Sequence, residues 1–128
     1  MQYLLFCCHE EKKFDSMTKS ECDTLMNETL AYCEKLKRSG HLIVAEPLEP
    51  IQTAVTVRAR NGNVSITDGP FAETKEQIGG FFLIEARDIN QAVQIASKFP
   101  TVRLGGIEVR PVRDLPQQGI EAESCQGE

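Results

Sequence analysis

The chain of 128 residues lacks any apolar run near the ~18 residues that a membrane-spanning helix requires. Its opening "MQYLLFCCHEEKK" turns strongly charged after a short apolar start, too short for the apolar segment of a signal peptide, and its basic residues stand on the wrong side. A cytoplasmic protein with no membrane partner is expected. Basic runs are missing too: 14 Lys and Arg stand against 19 Asp and Glu, a net charge of −5, and no basic stripe interleaved with aromatics offers itself to a phosphate backbone. Nucleic acid is therefore not an expected partner. The cysteines lack metal-type spacing. Cys7 and Cys8 adjoin and on a strand point to opposite faces, so they cannot clamp one ion together, while Cys22 and Cys33 fall in a helical segment. These four read as small apolar packers, and Cys125 in the tail as an exposed, oxidisable thiol. With two histidines, no Ser-His-Asp spacing, no GxGxxG and no metal box, neither a cofactor nor a metal is expected.

What is present is a pattern of alternating elements. Residues 2–8 form a continuous apolar run that reads as a strand buried on both faces, and "HEEKKFDSM" then reads as a polar connection. Thr18-Lys19-Ser20-Glu21 has capping-box spacing, with Met17 and Cys22 at the staple positions. Cys22, Leu25, Met26, Thr29, Cys33 and Leu36 recur at three and four residues, which predicts a helix from about 19 to 39, ended by Gly40. "HLIVAEP" resumes an extended pattern until Pro47 and Pro50 break it. "TAVTVRARNGNVSITD" alternates on both sides of Asn61-Gly62, the dipeptide suited to a two-residue type I′ turn. "GGFFLIEA" is a second buried strand, and Asp88 caps a helix with Ile89, Ala92, Val93, Ala96 and Phe99 on its apolar face, stopped by Pro100. After the loop "TVRLGG", "IEVRPV" is the last strand. Residues 1–114 therefore read as one domain and residues 115–128, without apolar periodicity, as a flexible tail.

The order β-α-β, hairpin, β-α-β predicts an α+β, ferredoxin-like antiparallel sheet with two helices on one face and the hairpin as an addition. The other sheet face then lacks a cover. Leu5, Phe82 and Ile84 are expected to need one, and a second copy of the sheet is the simplest source, so a homodimer is expected.

The stretch "TDGPFAETKEQIGGFFLIEA", residues 67–86, carries the densest chemistry. A two-residue turn at Asn61-Gly62 pairs Ala59 with Val64, Val57 with Ile66 and Val55 with Asp68, so the acid continues an apolar face. A carboxylate there calls for a raised pKa, a partner or a wet pocket, each of which suits a general base or a ligand anchor. Asp-Gly-Pro is equally ordinary turn chemistry, and Glu73, Lys75 and Glu76 equally a solvated loop face. His41 opens a strand and His9 follows one, so both could reach a pocket mouth, though a lone histidine at such a boundary is more often a polar surface group than a base. Arg58, Arg103 and Arg110 have the chemistry to hold an anionic ligand.

These residues resemble the DGPF-domain group of YCII-related proteins over roughly residues 1–112, above all in "TDGPFAETKEQIGG", with "GHLIVAEPL" and "FPTVRLGGIEVRPV" at weaker matches. The resemblance implies a ferredoxin-like fold forming a dimeric α+β barrel. It also implies a small-molecule role: related proteins carry a His-Asp pair in a pocket, one eliminates chloride from a chlorinated ring compound, and members of the group occur beside alternative sigma factors. Here the helix around Leu25 to Leu36 holds no histidine and "FPTV" no acid, which leaves Asp68 as the acid to carry over. Two functions are thus expected from the sequence. One is a cofactor-free acid-base enzyme, a lyase or isomerase of ring compounds, with Asp68 as base and His41, Arg58, Glu73, Lys75 and Arg110 around the substrate. The other is a small-ligand-binding or regulatory protein without turnover.

Overall fold

The computed structural model describes residues 1–115; the expected tail beyond residue 115, Cys125 included, lies outside the described residues. Four strands make the main sheet: β1 (Gln2–His9), β2 (Leu42–Pro47), β5 (Gln77–Glu85) and β6 (Gly105–Pro111), in the order β2-β5-β1-β6 with antiparallel neighbours. The helix α2 (Lys19–Arg38) connects β1 to β2, and α3 (Ile89–Ser97) connects β5 to β6. This is the split β-α-β arrangement of the ferredoxin-like fold that the element order predicts.

The helix termini follow the sequence closely. Thr18 accepts from the Glu21 amide while the Glu21 carboxylate accepts from the Thr18 amide, a complete capping box. Asp88 caps α3 by accepting from the Gln91 amide at 2.8 Å. Three elements are additional, a 3₁₀ turn at Ile51–Thr53 among them. Residues 11–15 of the expected polar connection form a short helix, α1 (Glu11–Asp15), and Pro100–Leu104 winds into a 3₁₀ turn instead of an open loop. The α1 start has no side-chain cap, and its Glu11 amide donates instead to Gln77 Oε1 at 3.0 Å, so a tertiary contact supports what propensity did not signal.

The core lies between the sheet and the helices. Tyr3, Leu5 and Cys7 from β1 and Phe82 and Ile84 from β5 meet Leu36 of α2 and Ala92, Ile95 and Ala96 of α3. Phe99 sits at the centre, 1% exposed, stacked on Phe82 at 4.0 Å between ring centroids and met edge-on by Tyr32 at 4.7 Å. The expectation that Leu5, Phe82 and Ile84 need outside cover is therefore corrected: these are the helix-covered side chains. The open face belongs to the opposite parity, Leu4 and Phe6 of β1 with Phe81 and Leu83 of β5, which are only half-buried. Strands apolar on both sides give a period of two but no sign to it. A similar adjustment occurs in α3, where Ile95 is buried and the expected Ile89 and Val93 are exposed.

The hairpin is separate. β3 (Val55–Arg60) and β4 (Asn63–Asp68) form their own two-stranded sheet, in the register read from the turn: Val55 opposite Asp68, Val57 opposite Ile66, Ala59 opposite Val64. Asn61 and Gly62 have φ of 51° and 79°, the positive values a type I′ turn demands. The arm's aliphatic stripe, Val55, Val57, Val64 and Ile66, is 57–71% exposed.

Candidate functional site

The chain after the hairpin closes the base of the arm through backbone and one neutral side chain. The Gly69 amide donates to Ala54 O at 2.7 Å, and the Thr56 hydroxyl donates to Gly69 O at 2.8 Å. Gly69 has φ of 108°, where a side chain would be strained. The Asp68 carboxylate takes no part in this turn. It is exposed and has no hydrogen-bond or ion-pair partner among the described residues. Arg58 bends along its own arm, its Nη2 donating to Phe71 O at 3.0 Å and its guanidinium lying 4.7 Å from the Phe71 ring centroid.

From Thr74 onward the same loop folds onto the end of β1. Gln77 is the organiser: its Nε2 donates to the carbonyls of Thr74 at 2.7 Å and Lys75 at 3.2 Å, and its Oε1 holds the start of α1. The Thr74 hydroxyl donates to Glu76 O, and Lys75 Nζ stands 3.6 Å from Glu10 Oε1. Glu11 Oε2 in turn accepts from the Ile51 amide at 2.9 Å, drawing in the 3₁₀ turn Ile51–Thr53. Glu73 is exposed.

At the centre of this cluster lies His9, buried at 8% exposure, which corrects its expected place on the surface. Its ring meets Phe14 of α1 edge-to-face at 4.7 Å. Gly79 makes room for its ring, and Gly105 for the backbone of Cys8 and His9. The β1–β5 register shifts between Cys7 and Cys8, leaving Gly79 as the extra residue, and a Cβ on Gly79 would run into His9 Cε1. A Cβ on Gly105 would strike Cys8 O and come within 3.0 Å of Glu76 Oε2, so that carboxylate reaches across β6 beside the His9 backbone. Burial pushes the His9 imidazole below its ordinary value of 6.5; Glu11 and Glu76 oppose the shift, and Lys13 adds to it. Parity was the available signal, because His9 follows buried Tyr3, Leu5 and Cys7 at steps of two.

The other candidates fall elsewhere. His41 sits at the opposite end of β5, its Nδ1 2.7 Å from Glu85 O, beside a 250 Å³ groove lined by Tyr32, Lys35, Gln91 and Gln94. Arg110 is on the open sheet face, paired with Glu108 at 2.6 Å and 5.7 Å from the Phe6 ring centroid. One chain therefore does not gather Asp68, His41, Arg58, Glu73, Lys75 and Arg110 into a single pocket. A groove that the sequence did not announce, of 330 Å³, runs between α2 and the Pro100–Leu104 turn, with Met17, Leu25 and Leu104 beside the Glu28–Arg103 ion pair at 3.1 Å. Cysteine chemistry is not poised at these sites: burial pushes Cys7 up to about 11, against the lowering effect of its contact with Thr101.

The fold and the loop-bound strand end define an α+β protein of the ferredoxin-like class. The chain belongs to the YCII-related domain family, whose model matches residues 1–116. It is 33% identical over 114 residues to an uncharacterised protein of Rhizobium meliloti (strain 1021), covering 88% of this chain and 92% of that one. Among solved structures it is similar to the 5-chloro-2-hydroxyhydroquinone dehydrochlorinase of Burkholderia phenoliruptrix AC1100, determined in complex with 2,5-dihydroxybenzoquinone. That likeness has a TM-score of 0.52 at 18% identity and covers 90% of this chain and 96% of the other, a likeness of fold. No helix among the described residues is long and apolar enough to cross a membrane.

Proposed function

We propose that this protein is a cofactor-free proton-transfer enzyme for a small ring compound, an elimination or isomerisation catalyst, and that it works as a homodimer. Asp68 is the proton acceptor contributed by the arm. The observation that carries this reading is the state of that side chain: it continues the aliphatic stripe opposite Val55, yet its own turn is closed without it. A carboxylate free of both turn and cation is available to a ligand, and a positioned base contributes ~10²–10⁴-fold to proton transfer. Covering the arm's stripe and the half-buried Leu4, Phe6, Phe81 and Leu83 face with a second copy would remove apolar surface from water and bring Asp68 out of bulk solvent. The dehydrochlorinase of like fold, determined with 2,5-dihydroxybenzoquinone bound, supports a hydroxylated ring compound as the substrate class. Arg58, Lys75, Glu73, His41 and Arg110 are then substrate-binding residues drawn from two copies.

A second reading, a small-ligand-binding or regulatory protein that serves alternative sigma factors without turnover, draws its support from the 330 Å³ groove. One variant separates the two. Asp68→Asn keeps shape and most acceptor geometry while removing the charge. On the enzyme reading it remains a folded dimer of unchanged melting temperature, binds 2,5-dihydroxybenzoquinone, and loses at least about a hundredfold in chloride release from 5-chloro-2-hydroxyhydroquinone. Binding without any turnover in the unmodified protein supports the second reading, and a lower melting temperature with turnover intact returns Asp68 to a structural role.

A further inference from the structure

We propose that the groove between α2 and α3 is a binding site for a small aromatic carboxylate, separate from the proton-transfer site. The inference needs neither Asp68 nor a second copy of the chain. The groove has a volume of 250 Å³, room for one ring rather than for a drug-sized molecule. Its walls come from one spacing used twice. Tyr32, Lys35 and Leu36 of α2 and Gln91, Gln94 and Ile95 of α3 stand at the same steps of three and four residues, which puts each set on one helix face. The two faces meet where the Tyr32 hydroxyl donates to Ile95 O at 2.7 Å. Leu36 and Ile95 are buried and Tyr32 is half-buried, so the groove has an apolar floor with an aromatic ring in it.

The rim is cationic in an acidic protein. The chain carries a net charge of −5, yet Lys35 and Lys98 line the groove and no carboxylate does. Neither lysine forms an ion pair among the described residues. Two acids at this end of the molecule are committed elsewhere: Glu85 pairs with the Met1 amino group, and Asp88 accepts from the Gln91 amide at 2.8 Å and stands 3.9 Å from Arg87 Nε. Cations near helix C-termini also complement the macrodipole, and Lys35 lies in the last turn of α2 while Lys98 caps α3. That accounts for their sign but not for the apolar groove between them. Gln91 adds a neutral donor, because its Oε1 accepts from the Arg87 amide at 2.7 Å and its Nε2 is left over. His41 closes one end with its Nδ1 engaged by Glu85 O, and its charge is not required. The ligand these features select has a flat apolar body for the floor and a carboxylate for the lysines. A neutral ring gains only the floor, and an anion without a ring only the rim.

The test uses the full-length protein at neutral pH and three probes: benzoate, benzamide with the same ring but no charge, and acetate with the charge but no ring. In NMR titrations benzoate shifts the Leu36 and Ile95 methyl signals and the Gln91 and Gln94 side-chain amides, and each of the other two binds at least about threefold more weakly, the scale of one exposed charge contact. Added salt weakens benzoate and leaves benzamide as it was. Both lysines are exposed, so Lys35→Gln combined with Lys98→Gln is expected to fold and to erase the preference for benzoate over benzamide. No groove shift with millimolar benzoate, equal binding of benzamide or of acetate, or undiminished benzoate binding by the folded double variant would overturn the proposal. The probe comparison and the salt dependence of the unmodified protein decide even if the variant does not fold. The two sites fail separately: Asp68→Asn should keep the benzoate response of the unmodified protein, and its loss there would overturn the separation of the groove from the proton-transfer site.

Discussion

The body and the arm of this protein are built by opposite means. In the body, an aromatic cluster around Phe99 is enclosed by two strands and two helices, and every element there is held by others distant in sequence. In the arm, β3 and β4 hold each other through a turn specified by Asn61 and Gly62, with Val55, Val57, Val64 and Ile66 facing solvent. An isolated two-stranded hairpin is marginal in water, and its aliphatic stripe has no use unless it is covered. The most locally encoded element is thus the one least covered by the rest of the chain, and it carries Asp68.

Three substitutions probe the contrast. Phe99→Ala removes the central ring of the body and should cost ~3–5 kcal/mol in denaturant unfolding, enough to unfold many domains of this size. Thr18→Ala breaks one half of the capping box that starts α2 and should cost about 1 kcal/mol in the same assay. Ile66→Asp, on the arm, should change the stability of the isolated body by no more than ~0.5 kcal/mol, as exposed substitutions do, while shifting sedimentation toward monomer. A large loss of stability with unchanged sedimentation would instead place the stripe against its own body.

Where the structure and the sequence reading part, the cause is identifiable. Capping at Thr18 and Asp88, the hairpin register and the β-α-β order were all legible, since each depends on neighbours within a few residues or on a strong period. The helix Glu11–Asp15 was not, because its first amide is satisfied by Gln77, more than sixty residues away. Asp68 was correctly placed on the apolar register, but register does not say whether that face is covered. His9 was legible in parity and overlooked because its position at a strand end suggested exposure, while its cover comes from Phe14 and its space from Gly79.

The sequence by itself determined the local geometry: the type I′ turn with its pairings, the two capped helices, and the order that makes a ferredoxin-like sheet. Only the tertiary structure decided which side of β1 and β5 meets the helices, since a strand apolar on both faces has a period of two in either phase and the packing of α2 and α3 chooses between them. The same choice buries His9 with Leu5 and Cys7 and leaves Phe6 and Cys8 on the open side, because alternation propagates one phase along the whole strand.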